Sequence, residues 1–577
     1  MEGFRLAYNA IAAQRTAFTQ LLSLCGDLEV RTVIRPTSGY AQLMAESTHP
    51  DLLRDGAGRD AALGVLREAS AHHPLWSALA DHEIADMWDG DIPLLTTRPS
   101  QPDIWTSAGA RLSGLLGQPA LGRALASVAA MGEVDRRDQE WIIAASLATR
   151  KPHDGHRGAR ALPGPVTAAA AEPGRLLAAA CGIADQIMAR AIAGPADHGR
   201  VNWLGLQCVE DAQWMLLPMG ASLADGYVGV ALFLAQLAEL TGIDRYSDAA
   251  RCAVSAVPGV LAAIDGRPEL VAAIGCGATG GLGGISYGLA RMSRLLHDAE
   301  LGQWAGRAAE LAVPVSLAGS PWWATGTAGC LAAMVSVRAD LGRTQAGDLA
   351  ADLARACAGR LAELAEQTGG RCVPGGDLAA DGFASGAAGV GWALVRFAGT
   401  LGGQAAEGQR SLAAGRLAAR HAVAAPLPDD SPGWCRGAAG RLLARTCLPV
   451  EAGGLDEEAS RLASRPVLED LSLCHGEAGV ADALTVLAAA TRSRAAHRAQ
   501  RHQAGLLLDV AGRHPAVCGT PGGVPTPGLL NGLAGIGYGL LRLGFAERVP
   551  SALLLQAGPP SGEPVQPDDH CAQAPSA

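Results

Sequence analysis

Two cysteines and one histidine stand at the same place in two consecutive glycine-rich motifs. Cys435 lies in GWCRGAAG, and Cys474 and His475 lie side by side in LCHGEAG. Two thiolates and one imidazole are suited to zinc and leave its fourth tetrahedral position open, as in catalytic sites. A structural zinc site would more often have a fourth Cys or His and C-x-x-C spacing. The motifs therefore indicate one Zn²⁺ ion held by these three side chains.

An open zinc site of this composition can bind an incoming thiol and hold it as a thiolate. A free thiol titrates near pH ~8.5, so metal binding increases the amount of nucleophile at neutral pH. In the alternative interpretation, the cysteines are small buried hydrophobic residues and His475 caps a helix.

Both motifs belong to an internal repeat. A Gly-x-x-Gly step recurs about every 40 to 60 residues along the chain. Most steps precede an apolar stretch at helical spacing, such as ISYGLARMSRLL. The seven steps are Gly226–Gly229, Gly281–Gly284, Gly326–Gly329, Gly386–Gly389, Gly437–Gly440, Gly476–Gly479 and Gly532–Gly535.

The helix after each step is apolar nearly all round, which predicts an inner layer of helices inside a more polar outer layer. Glycine lets the chain turn sharply and lets neighbouring helix N-termini approach closely. The repeat therefore predicts an all-α fold whose main part is an α/α toroid, a double ring of helices with seven Gly-x-x-Gly turns at one end. An open helical solenoid is the alternative.

The residue before each step is expected to face the central cavity of such a ring. Asp225 is the only carboxylate among these residues, which argues against a toroid glycosidase, since that enzyme needs a pair of carboxylates. The seven residues are Asp225, Gly280, Thr325, Ser385, Arg436, His475 and Asn531.

Composition narrows the classes of function further. A net charge of −10 argues against a nucleic-acid-binding protein. The 13 cysteines are scattered and odd in number, and no secretory signal is apparent, so we expect a reduced cytoplasmic protein. The uncharged stretch 311–337 is long enough to span a membrane. Because it contains Pro314 and Pro321, we expect a buried core helix there and no membrane span.

The elements WCRG and CHG resemble the two zinc-binding motifs of the lanthionine cyclase family, the LanC-like proteins. This resemblance covers about residues 174–556. It implies that Cys435, Cys474 and His475 are zinc ligands. The stretches VNWLGLQCVEDAQWMLLPMGASLADGYVGVALFLAQLAELTG and LLNGLAGIGYGLLRLGFAERVPSALLL are similar to the start and end of the cyclase region in class II lanthipeptide synthetases. The implied activity is the addition of Cys thiolates to dehydroalanine or dehydrobutyrine in a precursor peptide, as in bacteriocin maturation.

The first 150 residues resemble the end of the kinase-like dehydratase domain that precedes the cyclase in that family. The stretches VRTVIRPTSGYAQLM, STHPDLLRDG, GDIPLLTTRPS and WIIAASLATR carry this resemblance. It implies that Arg31 and Thr37 match an arginine and a threonine that assist phosphate elimination, and arginine can grip a phosphate with a fork of donors. From the residues alone, a surface arginine and a turn threonine are the alternative.

We expect four segments: a mainly helical dehydratase fragment (1–150), a linker (151–173), the cyclase toroid (174–556) and a disordered tail (557–577). The family's kinase-like part has no counterpart here. The only lysine is Lys151, and no glycine-rich phosphate loop is apparent. A truncated chain of this kind cannot phosphorylate a peptide alone. The expected partners are therefore a precursor peptide and a separate dehydratase or kinase-like polypeptide, the latter meeting an exposed apolar face on residues 1–150.

Three positions depart from the family's pattern. Ser385 replaces a histidine thought to act as acid or base, Trp322 replaces an aspartate, and Arg436 replaces a histidine or tyrosine. Serine is a poor acid and tryptophan offers only an indole N–H, and loss of a positioned acid costs ~10²–10⁴ in rate. Arg436, as an enolate stabiliser, and Asp225 remain as catalytic candidates. The alternative function is a degenerate cyclase that binds the peptide or serves as a scaffold for a dehydratase.

Overall fold

A computed structural model gives two compact units, Met1–Ala144 and Ala145–Ala577. Lys151, most of the expected linker and the expected tail after Pro559 lie outside the described residues. The described residues are 1–70, 73–150, 161–162, 168, 171–194, 199–209, 213–372, 382–401, 405–425, 431–449, 454–491, 493–513 and 516–559.

The first unit is mainly helical, as expected, and carries a small antiparallel sheet with strand order β1-β2-β3-β4. The pairing of β1 with β2 places Arg31 opposite Thr96. Its helices are α1 (Glu2–Ala13), α2 (Arg15–Leu24), α3 (Thr37–Ser47), α4 (Gly56–Ser70), α5 (Pro74–Trp88), α6 (Ala120–Ala130) and α7 (Glu133–Ala148), and its strands are β1 (Val30–Thr32), β2 (Leu95–Thr97), β3 (Ile104–Trp105) and β4 (Arg111–Leu112).

The second unit alternates apolar and amphipathic helices, and two β-hairpins lie between its first helix and the rest. Its elements are α8 (Pro173–Ala189), β5 (Ile192–Ala193), β6 (Val201–Asn202), β7 (Leu204–Val209), β8 (Gln213–Pro218), α9 (Tyr227–Thr241), α10 (Asp244–Val254), α11 (Val257–Ile264), α12 (Pro268–Ile274), α13 (Leu282–Leu295), α14 (Ala299–Ser316), α15 (Thr327–Leu341), α16 (Gln345–Gln367), α17 (Ala387–Thr400), α18 (Ala406–Ala424), α19 (Ala438–Thr446), α20 (Gly454–Ser464), α21 (Glu477–Thr491), α22 (Arg494–Arg513), a 3₁₀ turn (Pro521–Gly523) and α23 (Leu533–Gly544).

Seven helices of the described chain, one after each glycine step, close into an inner ring. Each packs against the next, and α23 packs against α9, which closes the ring. Each inner helix also packs against an outer helix, and the successive pairs are α9 with α10, α13 with α14, α15 with α16, α17 with α18, α19 with α20, α21 with α22, and α23 with α8. The expected α/α toroid is confirmed, and the open solenoid is excluded.

The second glycine of each step lets the inner helix begin directly against the preceding turn. A Cβ atom at Gly479 would overlap the carbonyl oxygen of Leu473, and one at Gly535 would overlap that of Leu529. Nothing larger than glycine fits at these places without moving the backbone. The step is therefore a packing requirement of the ring.

The seven turns are hydrogen-bonded to one another in a closed circle, which we call the turn circle. In each turn, the residue two positions before the first glycine donates its N–H to the carbonyl of the matching residue in the next turn, at 2.8–3.1 Å. The last residue, Leu530, donates to the first, Ala224, at 2.9 Å. The circle runs through Ala224, Thr279, Ala324, Ala384, Cys435, Cys474 and Leu530.

The apolar stretch 311–337 does not form the single core helix that we expected. Helix α14 ends at Ser316, and α15 begins at Thr327 after a turn that contains Pro321. The proline and the Gly326 step break the apolar run into two helices. Within the described ranges, one helical stretch, Asp244–Ile264, has the length and apolar character of a membrane span, and core helices also pass this test.

Candidate metal centre

The three residues expected to bind zinc converge at the mouth of the toroid. Cys435 lies just before α19, and Cys474 and His475 lie just before α21. Their ligating atoms, one from each residue, all lie within 4.8 Å of one another. Both thiols are buried, and the His475 side chain is 11% exposed. In the part of the chain that the structure describes, no other group of three His, Cys, Asp or Glu residues is placed to hold a metal.

The turn circle brings these side chains together. The backbone N–H groups of Trp434 and Cys435 both donate to the carbonyl of Cys474, at 3.0 and 3.1 Å. A Cβ atom at Gly433 would lie 2.7 Å from the Cα atom of His475, so the two turns touch without an intervening side chain. Adjacent turns thus place both thiols and the imidazole on one spot.

The donor set and its spacing fit a tetrahedral zinc ion. Typical Zn–S and Zn–N bonds place ligand atoms roughly 3.5–3.8 Å apart, which is compatible with donors that lie within 4.8 Å of one another. Two sulfurs and one ring nitrogen are donors that zinc prefers, and a fourth position would remain for a substrate. The residues present therefore fit the metal that the motifs imply.

Burial and internal hydrogen bonds set the acid–base properties of the cluster. The hydrogen bond with Cys435, followed by burial, raises the pKa of the Cys474 thiol well above its usual range. Burial acts to lower the pKa of His475, but the hydrogen bond with Cys435 and the charge of Asp470 outweigh it and raise this pKa. A bound divalent cation would reverse the effect on the thiols, because a coordinated thiol is deprotonated.

The residues behind His475 could not be identified from the sequence. Asp470 is buried, and its Oδ2 lies 3.3 Å from His475 Nε2. Ser472 donates its N–H to Asp470 Oδ1 at 2.7 Å and its hydroxyl to Oδ2 at 3.0 Å. Gly519 lies against the same edge of the imidazole. The only sequence signal was a carboxylate four residues before Cys474, and no signal pointed to Gly519.

The remaining candidate residues lie in the turns before the inner helices. Asp225 is half-buried and accepts a hydrogen bond from Asn531 Nδ2 at 3.4 Å. Removal from water raises the pKa of Asp225 to about 6, although Asn531 and the charge of His475 act to lower it. Arg436 is exposed. The two substituted positions, Ser385 and Trp322, are both half-buried.

In the first unit, the structure brings together the two residues expected to handle phosphate. Arg31 Nη2 donates to Thr37 Oγ1 at 3.3 Å, and both side chains are exposed. Arg31 lies on β1, and Thr37 is the first residue of α3. A guanidinium and a hydroxyl are thus presented together to solvent.

Comparison with known proteins finds two families along the chain. Residues 218–554 match the family described as lanthionine synthetase C-like protein, and residues 1–98 match a domain of unknown function, DUF4135. No curated protein was found to match the chain.

Among solved structures, nisin cyclase is similar at 15% identity and a TM-score of 0.40, covering 58% of this chain and 92% of its own. An alpha-1,6-mannanase from Salegentibacter sp. is similar at 14% identity and a TM-score of 0.29, covering 58% of this chain and 99% of its own. The family match covers more than half of the 577 residues and contains the whole Cys–Cys–His cluster. The chain therefore belongs to the lanthionine synthetase C-like family.

Proposed function

We propose that residues 174–556 are a zinc-dependent lanthionine cyclase domain. It would add Cys thiolates of a precursor lanthipeptide to dehydroalanine or dehydrobutyrine residues of the same peptide. The convergence of Cys435, Cys474 and His475 at the mouth of the toroid is the observation that carries this proposal. We place the reaction in the cytoplasm, because it needs reduced peptide thiols.

Zinc bound by these three residues would favour the thiolate form of a peptide thiol at neutral pH, and the proton of that thiol would pass to solvent. The sulfur then forms a bond to the β-carbon of the dehydro residue, while the π electrons move onto the carbonyl oxygen as an enolate. The α-carbon finally takes up a proton. Asp225, whose pKa is raised by burial to about 6, is our candidate for the proton donor. Arg436 can stabilise the enolate, but as a permanent cation it cannot deliver the proton.

Ser385 and Trp322 favour a second candidate function. Neither side chain can act as an acid at neutral pH, so a chain with intact zinc ligands and a poor proton supply could bind the peptide without closing rings. In that case the toroid is a scaffold that presents the precursor peptide to a separate dehydratase.

A pre-dehydrated, Cys-containing peptide distinguishes the two functions. With the zinc-loaded chain, we expect the free thiol of this peptide to disappear faster than in the enzyme-free control. The measurement is the mass of the peptide after alkylation of the remaining thiols. A peptide with alanine at the dehydrated position is the matched control. Binding without any loss of thiol would leave only the scaffold.

We also propose that residues 1–150 are the end of a dehydratase domain, separated from the toroid by a linker at 151–173. Most of the large apolar side chains that are exposed in the described chain lie within these 150 residues, which supports the binding of a partner to this unit. The partner we propose is a kinase-like domain that supplies phosphorylation.

The roles proposed for Arg31 and Thr37 can be tested with a phosphoserine peptide and the partner polypeptide. We expect Arg31→Gln to slow the release of phosphate by roughly 10²-fold, because a guanidinium that stabilises the leaving group is lost. Phosphate release is measured directly by a colorimetric assay. Arg54→Gln, which removes another exposed arginine of the same unit, is the control. Equal rates of phosphate release for the two variants would mean that Arg31 is a surface residue with no role in the elimination.

A further inference from the structure

One edge of the His475 imidazole is enclosed by protein rather than turned to the cavity. Nε2 lies 3.3 Å from the carboxylate oxygen Oδ2 of Asp470. On the same edge, a Cβ atom built on Gly519 would lie 2.7 Å from Nε2 and 3.0 Å from Cε1. The ring is therefore held between a carboxylate and a stretch of bare backbone.

Asp470 is itself fixed in place. Its carboxylate accepts two hydrogen bonds from Ser472, one from the N–H and one from the hydroxyl. Its backbone carbonyl accepts from the N–H of Glu477 at 3.0 Å, in the first turn of α21. Because Asp470 is buried, a carboxylate held this rigidly stays aimed at one atom of the neighbouring ring.

Gly519 packs against the imidazole of His475 at a distance that leaves no room for a side chain. Its N–H donates to the carbonyl of Asn531 at 2.9 Å, which ties this segment to the last turn of the ring. A Cβ atom here would also lie 2.8 Å from the hydroxyl of Ser472. Any side chain would therefore displace either the imidazole or the serine that holds Asp470.

We propose that Asp470 and Gly519 are positioning residues for His475, an inference that rests on the proposed zinc-dependent function. Asp470 accepts a hydrogen bond from Nε2–H and thereby fixes the tautomer in which Nδ1 has the lone pair. Nδ1 is then the only ring atom available to a metal beside Cys435 and Cys474. Gly519 keeps the ring from rotating away. The donor geometry thus depends on a carboxylate that does not touch the metal.

Chelator competition on the full chain measures the zinc affinity, and the absorption spectrum of the cobalt-substituted chain measures the ligand geometry. For Asp470→Ala we expect a 10–100-fold loss of zinc affinity and an altered cobalt spectrum, as is typical when a carboxylate behind a metal-bound histidine is lost. Gly519→Ala should change the spectrum in the same direction. Asp470→Asn keeps an acceptor oxygen for Nε2–H and should recover part of the affinity.

The matched control is Asp482→Asn, because Asp482 is another buried carboxylate of the same repeat that pairs with Arg542 away from the cluster. This variant should lose stability without any change in zinc affinity or spectrum. Wild-type affinity and spectrum in Asp470→Ala would overturn the inference, as would equal losses in Asp470→Ala and Asp482→Asn. If Asp470→Ala does not fold, Asp470→Asn and Gly519→Ala decide by the same two measurements. A wild-type chain that binds no zinc would instead refute the proposed function itself.

Discussion

Replacement of Cys474 by alanine is expected to reduce the zinc content from about one ion per chain to nearly none. Cys474 is a proposed ligand, and its carbonyl also holds the turn of Cys435, but alanine leaves that backbone contact intact. The loss would therefore report on the sulfur alone. Metal analysis of the purified chain after dialysis measures it.

The same variant is expected to lose its effect on peptide thiols. At pH 7 only a few per cent of a free thiol is ionised, so loss of metal activation costs roughly 30-fold in thiolate population alone. Cys447→Ala is the matched control. Cys447 is equally buried at the end of α19, and burial raises its pKa to about 12, but it lies outside the cluster. Undiminished zinc in Cys474→Ala, or an equal loss in Cys447→Ala, would contradict the ligand assignment.

The ring could be predicted from the sequence because each of its turns is produced by residues that are close together in the chain. A glycine is needed wherever an inner helix begins against the carbonyl of the preceding turn, as at Gly479, and this need recurs once per repeat. The apolar stretches after the steps indicated which helices lie inside. Counting the steps thus predicted seven inner helices.

Closure and detailed helix boundaries depend on contacts that the sequence does not display. The hydrogen bond from Leu530 to Ala224 joins residues from opposite ends of the domain, and no local sequence pattern predicts it. The apolar stretch 311–337 reads as one helix by composition, but the glycine step at Gly326 divides it. The hairpin of β7 and β8 was also missed.

The candidate site was likewise predictable only in part: the proposed metal ligands could be identified from the sequence, and the residues that position them could not. Cys435, Cys474 and His475 share one phase of the repeat, so their convergence could be expected from sequence. Asp470 and Gly519 lie outside that phase, and only the folded chain brings Gly519 to the imidazole. Residues that position a ligand are harder to predict than the ligands themselves, because side-chain direction decides their role.

Asp482→Ala is expected to destabilise the toroid by about 3–5 kcal/mol, because it leaves a buried guanidinium without its countercharge. Asp482 pairs with Arg542 and accepts a hydrogen bond from the hydroxyl of Ser551. Arg542 also donates to the carbonyl of Val549 at 2.6 Å. The carboxylate thus links two inner helices to the chain segment that follows α23.

The segment that follows α23 packs against the turns of the ring. Ala552, Leu553 and Leu555 line one small cavity together with Trp323 and Trp434 from the turns above. Arg396 of α17 donates to the carbonyls of Leu554 and Leu555 at 2.9 and 2.7 Å. Two arginines of separate inner helices, the buried Arg542 and the half-buried Arg396, therefore hold this segment against the turn circle. Loss of Asp482 should therefore weaken the attachment of this segment to the inner helices.

Urea unfolding followed by tryptophan fluorescence measures the change in the free energy of unfolding. Asp352→Ala is the control, because Asp352 forms an exposed ion pair with Arg355 on the outer helix α16, and such pairs contribute about 0–1 kcal/mol. A total stability of roughly 5–15 kcal/mol makes the expected loss readily visible. Equal shifts in the two variants would mean that the buried pair contributes no more than a surface pair. The toroid would then be held by its apolar inner ring and turn circle alone.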